Sequence, residues 1–278
     1  MQIDILGLRP GQHRMPCPDC AKGRHDTALS VLVRDDGSAV WRCFRCEASG
    51  GTRRGRDYRA IVSAAPKRAP EVERAPDART AAARIWRETI PLAESLGAQY
   101  LLGRCCDLPP PDGDLRFHPA LWCPEMRCEL TALVARVSTV IGNRDVGVHR
   151  IWFRPGEIRA VKKMRLGGSK EPVCIRLWPD TTVTMGLGIA EGVETACAAS
   201  FAFSPIWSCV DAGQLARFPI LAGVESLTIF ADFDNAGYKA AKTTYFRYSH
   251  AGINVTLLRS ANVGEDINDM RMKAAGRI

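Results

Sequence analysis

The chain has 278 residues, 46% of them hydrophobic and 24% charged, the composition of an ordinary globular protein with room for two domains. No run of 18 apolar residues occurs, which excludes a membrane-spanning helix, and the opening MQIDILGLRP lacks the apolar core of a secretory signal, so the cytoplasm is the expected compartment. The net charge of +8 is uneven: residues 186–278 carry 8 basic and 9 acidic side chains, the rest of the chain 30 and 21, so a basic front suited to a polyanion precedes a near-neutral end.

Residues 1–50 read as short strands and turns. LSVLV and AVWRC flank an Asp-Asp-Gly-Ser turn, a hairpin signature. On either side stand Cys17-Pro-Asp-Cys20 and Cys43-Phe-Arg-Cys46, with 22 residues between the pairs. Each Cys-x-x-Cys turn presents two thiolates to one tetrahedral ion, and a segment this small needs such a staple because it cannot bury enough surface. One structural Zn²⁺ held by Cys17, Cys20, Cys43 and Cys46 is therefore expected, with His13 and His25 as lesser alternatives. Trp41, Arg42, Phe44 and Arg45 lie beside the second pair. They suit stacking on and neutralising a single nucleic-acid strand, or equally the packing and solvated face of a small β-ribbon.

From Gly50 to Asp77 the chain is rich in Ala, Pro, Gly and charge, a composition that reads as a tether with one short helix over 56–63. Helical periodicity resumes in ARTAAARIWRETIPLAESLGAQYLLGR, with Gly97 and the prolines at 109–111 as breaks. Residues 130–178 are β-rich, with LTALVARVSTV, VGVHRIWF and VCIRLW between turn residues. The other seven cysteines are scattered in mostly apolar context and read as buried thiols; Cys123 and Cys128 with Cys105 and Cys106 make a weak second metal candidate. His118 and His149 have no evident partner triad.

The last 93 residues alternate apolar strands (TVTMGLGIA, PIWSCV, SLTIFA, INVTLLRS) with helices, the pattern of a parallel sheet covered on both faces. Ligands of such a sheet bind beyond the carboxyl ends of its strands. The acids there are Glu191, followed by Gly192 for a sharp turn, then Asp232 and Asp234 in Asp-Phe-Asp, then Asp266 and Asp269 in GEDIND. Alternation at a strand end would aim Asp232 and Asp234 to one side and Phe233 to the other. Converging carboxylates suit one or two Mg²⁺ or Mn²⁺ ions and phosphoryl transfer; the plainer alternative is that each acid caps the helix after it.

The Glu191-Gly192 pair after one strand, Asp232-x-Asp234 after another and the acidic third loop resemble the Toprim domain of bacterial-type primases, topoisomerases and some nucleases. With a zinc ribbon in front and a basic middle, the arrangement is similar to bacterial and phage DNA primases, and YLLGRC, LRFHPAL, TALVARV, VGVHRIWF and VKKMRLGG resemble small phage and plasmid primases. The resemblance implies a fold of α/β class: a four-cysteine ribbon over 1–50, a flexible linker over 51–80, a mixed α+β basic subdomain of a polymerase core over 81–185, and a Toprim-like parallel sheet over 186–278. It implies that Glu191, Asp232, Asp234 and Asp266 hold catalytic Mg²⁺, with Glu191 as acid/base or metal organiser. It implies that Lys162, Lys163 and Arg165 lie along the nucleotide path, with Gly167 and Gly168 allowing close approach. The implied activity is DNA-dependent RNA primer synthesis from NTPs on single-stranded DNA.

Two features depart from the pattern. Many Toprim primases carry an aspartate four residues after the glutamate; here that position is Thr195, preceded by Glu194. No G-x-x-x-x-G-K-[ST] loop is present, so the resemblance makes a replicative helicase a separate partner. Competing expectations are a Toprim nuclease and a non-catalytic DNA-binding protein of the recombination-mediator kind. The 144 residues between Cys46 and Glu191 disfavour the second.

Overall fold

The computed structural model describes residues 7–21, 23, 26–46, 48–52, 77–232, 235–260 and 265–277. The expected tether and its helix over 56–63, His25, Phe233 and Asp234 lie outside the described residues. The chain divides into two compact units, Met1–Val72 and Glu73–Ile278. Among the described residues no helix is long and apolar enough to cross a membrane.

The first unit is an antiparallel sheet of β1 (Gly11–Met15), β2 (Leu29–Val33), β3 (Ala39–Cys43) and β4 (Ser49–Thr52), paired in that order. The expected hairpin joins β2 to β3: Asp36 Oδ1 accepts the Ser38 N–H at 2.9 Å, and Gly37 takes the left-handed φ of +76° that the turn requires. Leu29, Val31, Val33, Ala39, Cys17 and Cys43 form its core, too small to hold the sheet by burial alone.

The second unit opens with α1 (Ala78–Arg87), capped by Asp77, and α2 (Leu96–Gly103), capped by Ser95. The break in periodicity falls at the segment around Pro91, not at Gly97 as expected. Gly97 lies inside α2, where a Cβ would come within 2.8 Å of Leu133 and 3.0 Å of Phe117. Its glycine serves close helix–sheet packing.

Four long strands follow, β5 (Leu115–Cys123), β6 (Cys128–Thr139), β7 (Asp145–Phe153) and β8 (Ala160–Gly167), antiparallel in that order, with β9 (Val173–Cys174) paired to the end of β6. Strand alternation splits their side chains into two cores. Val134, Val148 and Trp152 pack with Ala82 and Ile85 of α1, whereas Leu133, Ile151 and Phe153 pack with Tyr100 and Leu101 of α2.

The C-terminal sheet is parallel: β10 (Gly186–Ala190), β11 (Ile206–Ser208), β12 (Ser226–Ala231) and β13 (Asn254–Arg259), in the order β11-β10-β12-β13. The intervening helices are α3 (Val193–Ala199), α4 (Ala212–Arg217) and α5 (Asn235–His250), and α6 (Ile267–Ala274) follows β13. Ala190 and Phe230 point to one face, joining α3 and the core of the middle sheet; Leu187, Ile189, Leu227 and Ile229 point to the other, under α4 and α5. Burial on both faces explains why these strands read as continuous apolar runs.

The expected VCIRLW strand is shared between sheets. Only Val173–Cys174 pairs with β6, while Ile175 exchanges both backbone hydrogen bonds with Ser208 of β11, at 2.8 and 3.0 Å. Arg176, 3% exposed, secures this junction. Its Nη1 donates to Ser138 Oγ at 2.7 Å, Nη2 to the Val140 carbonyl at 2.8 Å and Nε to Asp180 at 2.6 Å, and its guanidinium lies 4.6 Å from the Trp207 ring. Removing it strands buried acceptors, so Arg176→Ala is expected to cost about 3 kcal/mol and to lower Tm by on the order of 10 °C, measured by thermal melting.

Candidate active site and metal centre

In the first unit, the Cys17–Cys20 turn closes with the Ala21 N–H donating to the Cys17 carbonyl at 2.9 Å, and β3 delivers Cys43 beside it. The four ligand sulfurs lie within 4.8 Å of one another, with Cys17–Cys46 at 3.7 Å and Cys20–Cys43 at 3.5 Å. A tetrahedron with Zn–S bonds of about 2.3 Å has edges of about 3.8 Å, so the donor set fits one zinc ion. The backbone N–H groups of Cys46 and Arg45 lower the Cys43 thiol, while burial and the neighbouring sulfurs raise Cys20, so without a cation the four sulfurs share protons. His13 is engaged elsewhere, its Nε2 2.7 Å from the Arg9 carbonyl. Among the described residues the four cysteines are the only group of three or more His, Cys, Asp or Glu side chains whose donor atoms converge.

The four expected nucleic-acid contacts of this unit, Trp41, Arg42, Phe44 and Arg45, do not all share a face. Arg45 is exposed but engaged, donating to the Cys20 carbonyl at 2.9 Å and pairing with Asp26. Trp41 packs on Gly50, where a Cβ would lie 2.7 Å from its ring. Arg42 is exposed, aligned through Ser30 with Arg14. Arg14, which the sequence reading did not single out, lies 4.5 Å from the ring of Phe44, itself 63% exposed. Among the described residues of this unit, Arg14, Arg42 and Phe44 form an exposed basic and aromatic group.

In the second unit, β10 leads to α3 and to β11 on one side, while β12 lies on the other side of β10. The gap between the carboxyl ends of β10 and β12 is therefore the point where strand order reverses, the ligand crevice of an open parallel sheet. Glu191 and Asp232 stand there. Ala190 pairs with Phe230, so the two acids leave the sheet at neighbouring strand ends. The Thr195 hydroxyl, in the first turn of α3, donates to Asp232 Oδ1 at 3.3 Å. Gly192 has an extended backbone, φ −102°, open to any residue, so the expected glycine turn after Glu191 is not needed.

Asp266 is differently employed. It lies beyond β13 as the N-cap of α6, accepting the Asp269 N–H at 2.7 Å, and burial raises its carboxyl above the ordinary range. The helix-capping alternative describes its geometry.

Of the basic run on β8, Lys163 and Arg165 point one way and Lys162 the other. Lys162, opposite Trp152, pairs with Glu125. Lys163 reaches Glu194 in the first turn of α3, with Nζ 2.5 Å from Oε2, and Arg165 comes within 3.9 Å of Asp211, the N-cap of α4. Both acids follow carboxyl ends of the parallel strands, so β8 lays two cations along the rim that carries Glu191 and Asp232. Gly167 has φ +89°, and a Cβ there would lie 2.3 Å from the Val146 carbonyl. Strand pairing alone accounts for that glycine.

Glu194 is the acid in the first turn of α3. It is 3% exposed and takes the Tyr100 hydroxyl on Oε1 at 2.9 Å, with Arg104 Nε 3.8 Å away. Burial raises its carboxyl, but Lys163, Arg104 and the two hydrogen bonds outweigh this and hold it below the ordinary range, ionised. His149, opposite Arg165, is lowered to about 4 by burial and is neutral. His118 accepts the Ala120 N–H on Nδ1 at 3.2 Å, a local structural bond. Cys123 and Cys128 face each other across β5 and β6 with no third ligand among the described residues. Tyr100 and Glu194 are 94 positions apart, which left no local signal for their pairing.

Residues 186–276 match the family described as the Toprim domain, and residues 76–173 match a domain of unknown function, DUF7146. No curated protein sequence matches the chain. Among solved structures, the Aquifex aeolicus primase (zinc binding and RNA polymerase domains) is similar over 100% of this chain and 78% of its own, at 14% identity and a TM-score of 0.45. A DNA primase domain from Pseudomonas aeruginosa is similar over 66% of this chain and 57% of its own, at 14% identity and a TM-score of 0.36. The acids at the strand-order reversal thus belong to a recognised domain: residues 186–276 of this chain are a Toprim domain, and a four-cysteine zinc-type site precedes it.

Proposed function

We propose that the chain is a DNA-dependent RNA primase. The observation that carries this reading is the rim of the Toprim sheet, where Glu191 and Asp232 stand at neighbouring strand ends and Lys163 and Arg165 approach from β8. The carboxylates offer the hard oxygen donors that Mg²⁺ or Mn²⁺ takes, with Asp234 two residues beyond Asp232 completing the set by sequence. When bound, such an ion stabilises negative charge on the reacting phosphate oxygens.

In the proposed reaction the 3′-hydroxyl of one nucleotide attacks the α-phosphorus of an incoming NTP. A phosphodiester bond forms, the bond to the β-phosphate oxygen breaks, and pyrophosphate leaves. Glu191 receives the hydroxyl proton. Lys163 and Arg165 neutralise the triphosphate as charge shifts toward the leaving group. On the zinc unit, Arg14, Arg42 and Phe44 contact the single-stranded template by charge and stacking. A separate replicative helicase would supply that strand.

The test is incubation with single-stranded DNA of varied sequence, NTPs and Mg²⁺, resolved on a gel. Short oligoribonucleotides whose yield depends on template sequence are expected. A shortened template would replace this reading with a nuclease, and template binding without either product with a non-catalytic DNA-binding protein.

A further inference from the structure

Glu194 is three residues beyond Glu191, in the first turn of α3, and is held from two other elements. Tyr100 and Arg104, from α2 and its C-cap, occupy the Oε1 side, which leaves Oε2 to Lys163 of β8. The carboxylate is thus fixed and ionised, while the Lys163 side chain is 47% exposed. An ammonium has three N–H donors, and among the described residues Lys163 commits one of them, to Glu194. The flexible four-carbon stem of a lysine would otherwise sample many rotamers at a solvent-facing rim.

We infer that Glu194 is a positioning residue for the nucleotide centre: it anchors Lys163 beside the Toprim carboxylates so that the remaining N–H groups meet a phosphate of the incoming triphosphate. The inference rests on the proposed function for the identity of that phosphate. A purely structural Glu194 would lock α3 to β8 and α2 and have no effect on ligand affinity beyond stability.

The experiment is a double-mutant cycle on Mg·ATP affinity by titration calorimetry with the full chain, using Lys163→Ala, Glu194→Gln and both together. Lys163→Ala is expected to weaken binding roughly tenfold, as loss of one charge-assisted contact does. Glu194→Gln keeps the side-chain size and is expected to weaken binding several-fold alone but not in the Lys163→Ala background. Lys163→Arg should restore most of the affinity. Should Glu194→Gln fail to fold, Tyr100→Phe loosens the same carboxylate and is expected to weaken binding in the same direction and with the same dependence on Lys163.

Unchanged affinity in Glu194→Gln, a loss that persists in full without Lys163, or no Mg·ATP binding by the wild-type chain would each overturn the inference. Coupled loss of affinity in a chain that makes no primers would overturn the proposed function while leaving this inference standing.

Discussion

Asp232→Ala is expected to reduce oligoribonucleotide synthesis by on the order of 10²- to 10³-fold. The residue sits at the end of β12 beside Glu191, where the strand order reverses, and its carboxylate is oriented by the Thr195 hydroxyl. In the proposed reaction alanine removes one of the hard oxygen donors that would hold the metal. The fold should hardly notice, because Asp232 is only half-buried and follows the last residue of the strand. Tm within a few degrees of wild type and unchanged template binding are therefore expected, together with weaker Mn²⁺ binding followed by its paramagnetic resonance signal. Wild-type product yield from the Asp232→Ala chain would remove the basis for placing the reaction at this rim.

Cys43→Ser has the opposite profile, a large structural effect confined to one unit. Among its described residues the Met1–Val72 unit has only a handful of buried apolar side chains, and structural zinc sites contribute about 10–16 kcal/mol of apparent binding energy at neutral pH. Serine cannot replace a thiolate in the tetrahedron. Bound zinc should fall from one equivalent to on the order of a tenth, and the β-sheet signals of residues 11–52 should collapse. The Glu73–Ile278 unit has cores of its own and is expected to keep its melting transition. Metal analysis, limited proteolysis and calorimetry check each part. A protease-resistant Cys43→Ser ribbon holding a full equivalent of zinc would show that burial, not metal, organises it.

Much of the site was legible before any coordinates because its signals are local. Two Cys-x-x-Cys turns around a hairpin specify a four-sulfur cluster through spacing alone. Apolar runs alternating with helical stretches specify a parallel sheet, and a parallel sheet specifies which end of each strand carries chemistry, so Glu191 and Asp232 could be named from their positions after GLGIA and SLTIFA.

What sequence did not disclose depends on register and on contacts between distant segments. Lys162 and Lys163 are adjacent in the chain and point to opposite faces of β8, and only the pairing of Lys163 with Ile151 and Arg165 with His149 decides which face meets the Toprim rim. Asp266 reads as one more acid after a strand, yet it caps α6 with a carboxylate oxygen. Arg45 looks like a free basic residue until the fold brings Asp26 and the Cys20 carbonyl to it. Periodicity is set by the backbone geometry of each element, so metal cluster, strand type and strand ends were determined by the sequence read locally. Partner choice for a charged side chain is set by which elements pack together, and that was decided by the tertiary structure alone.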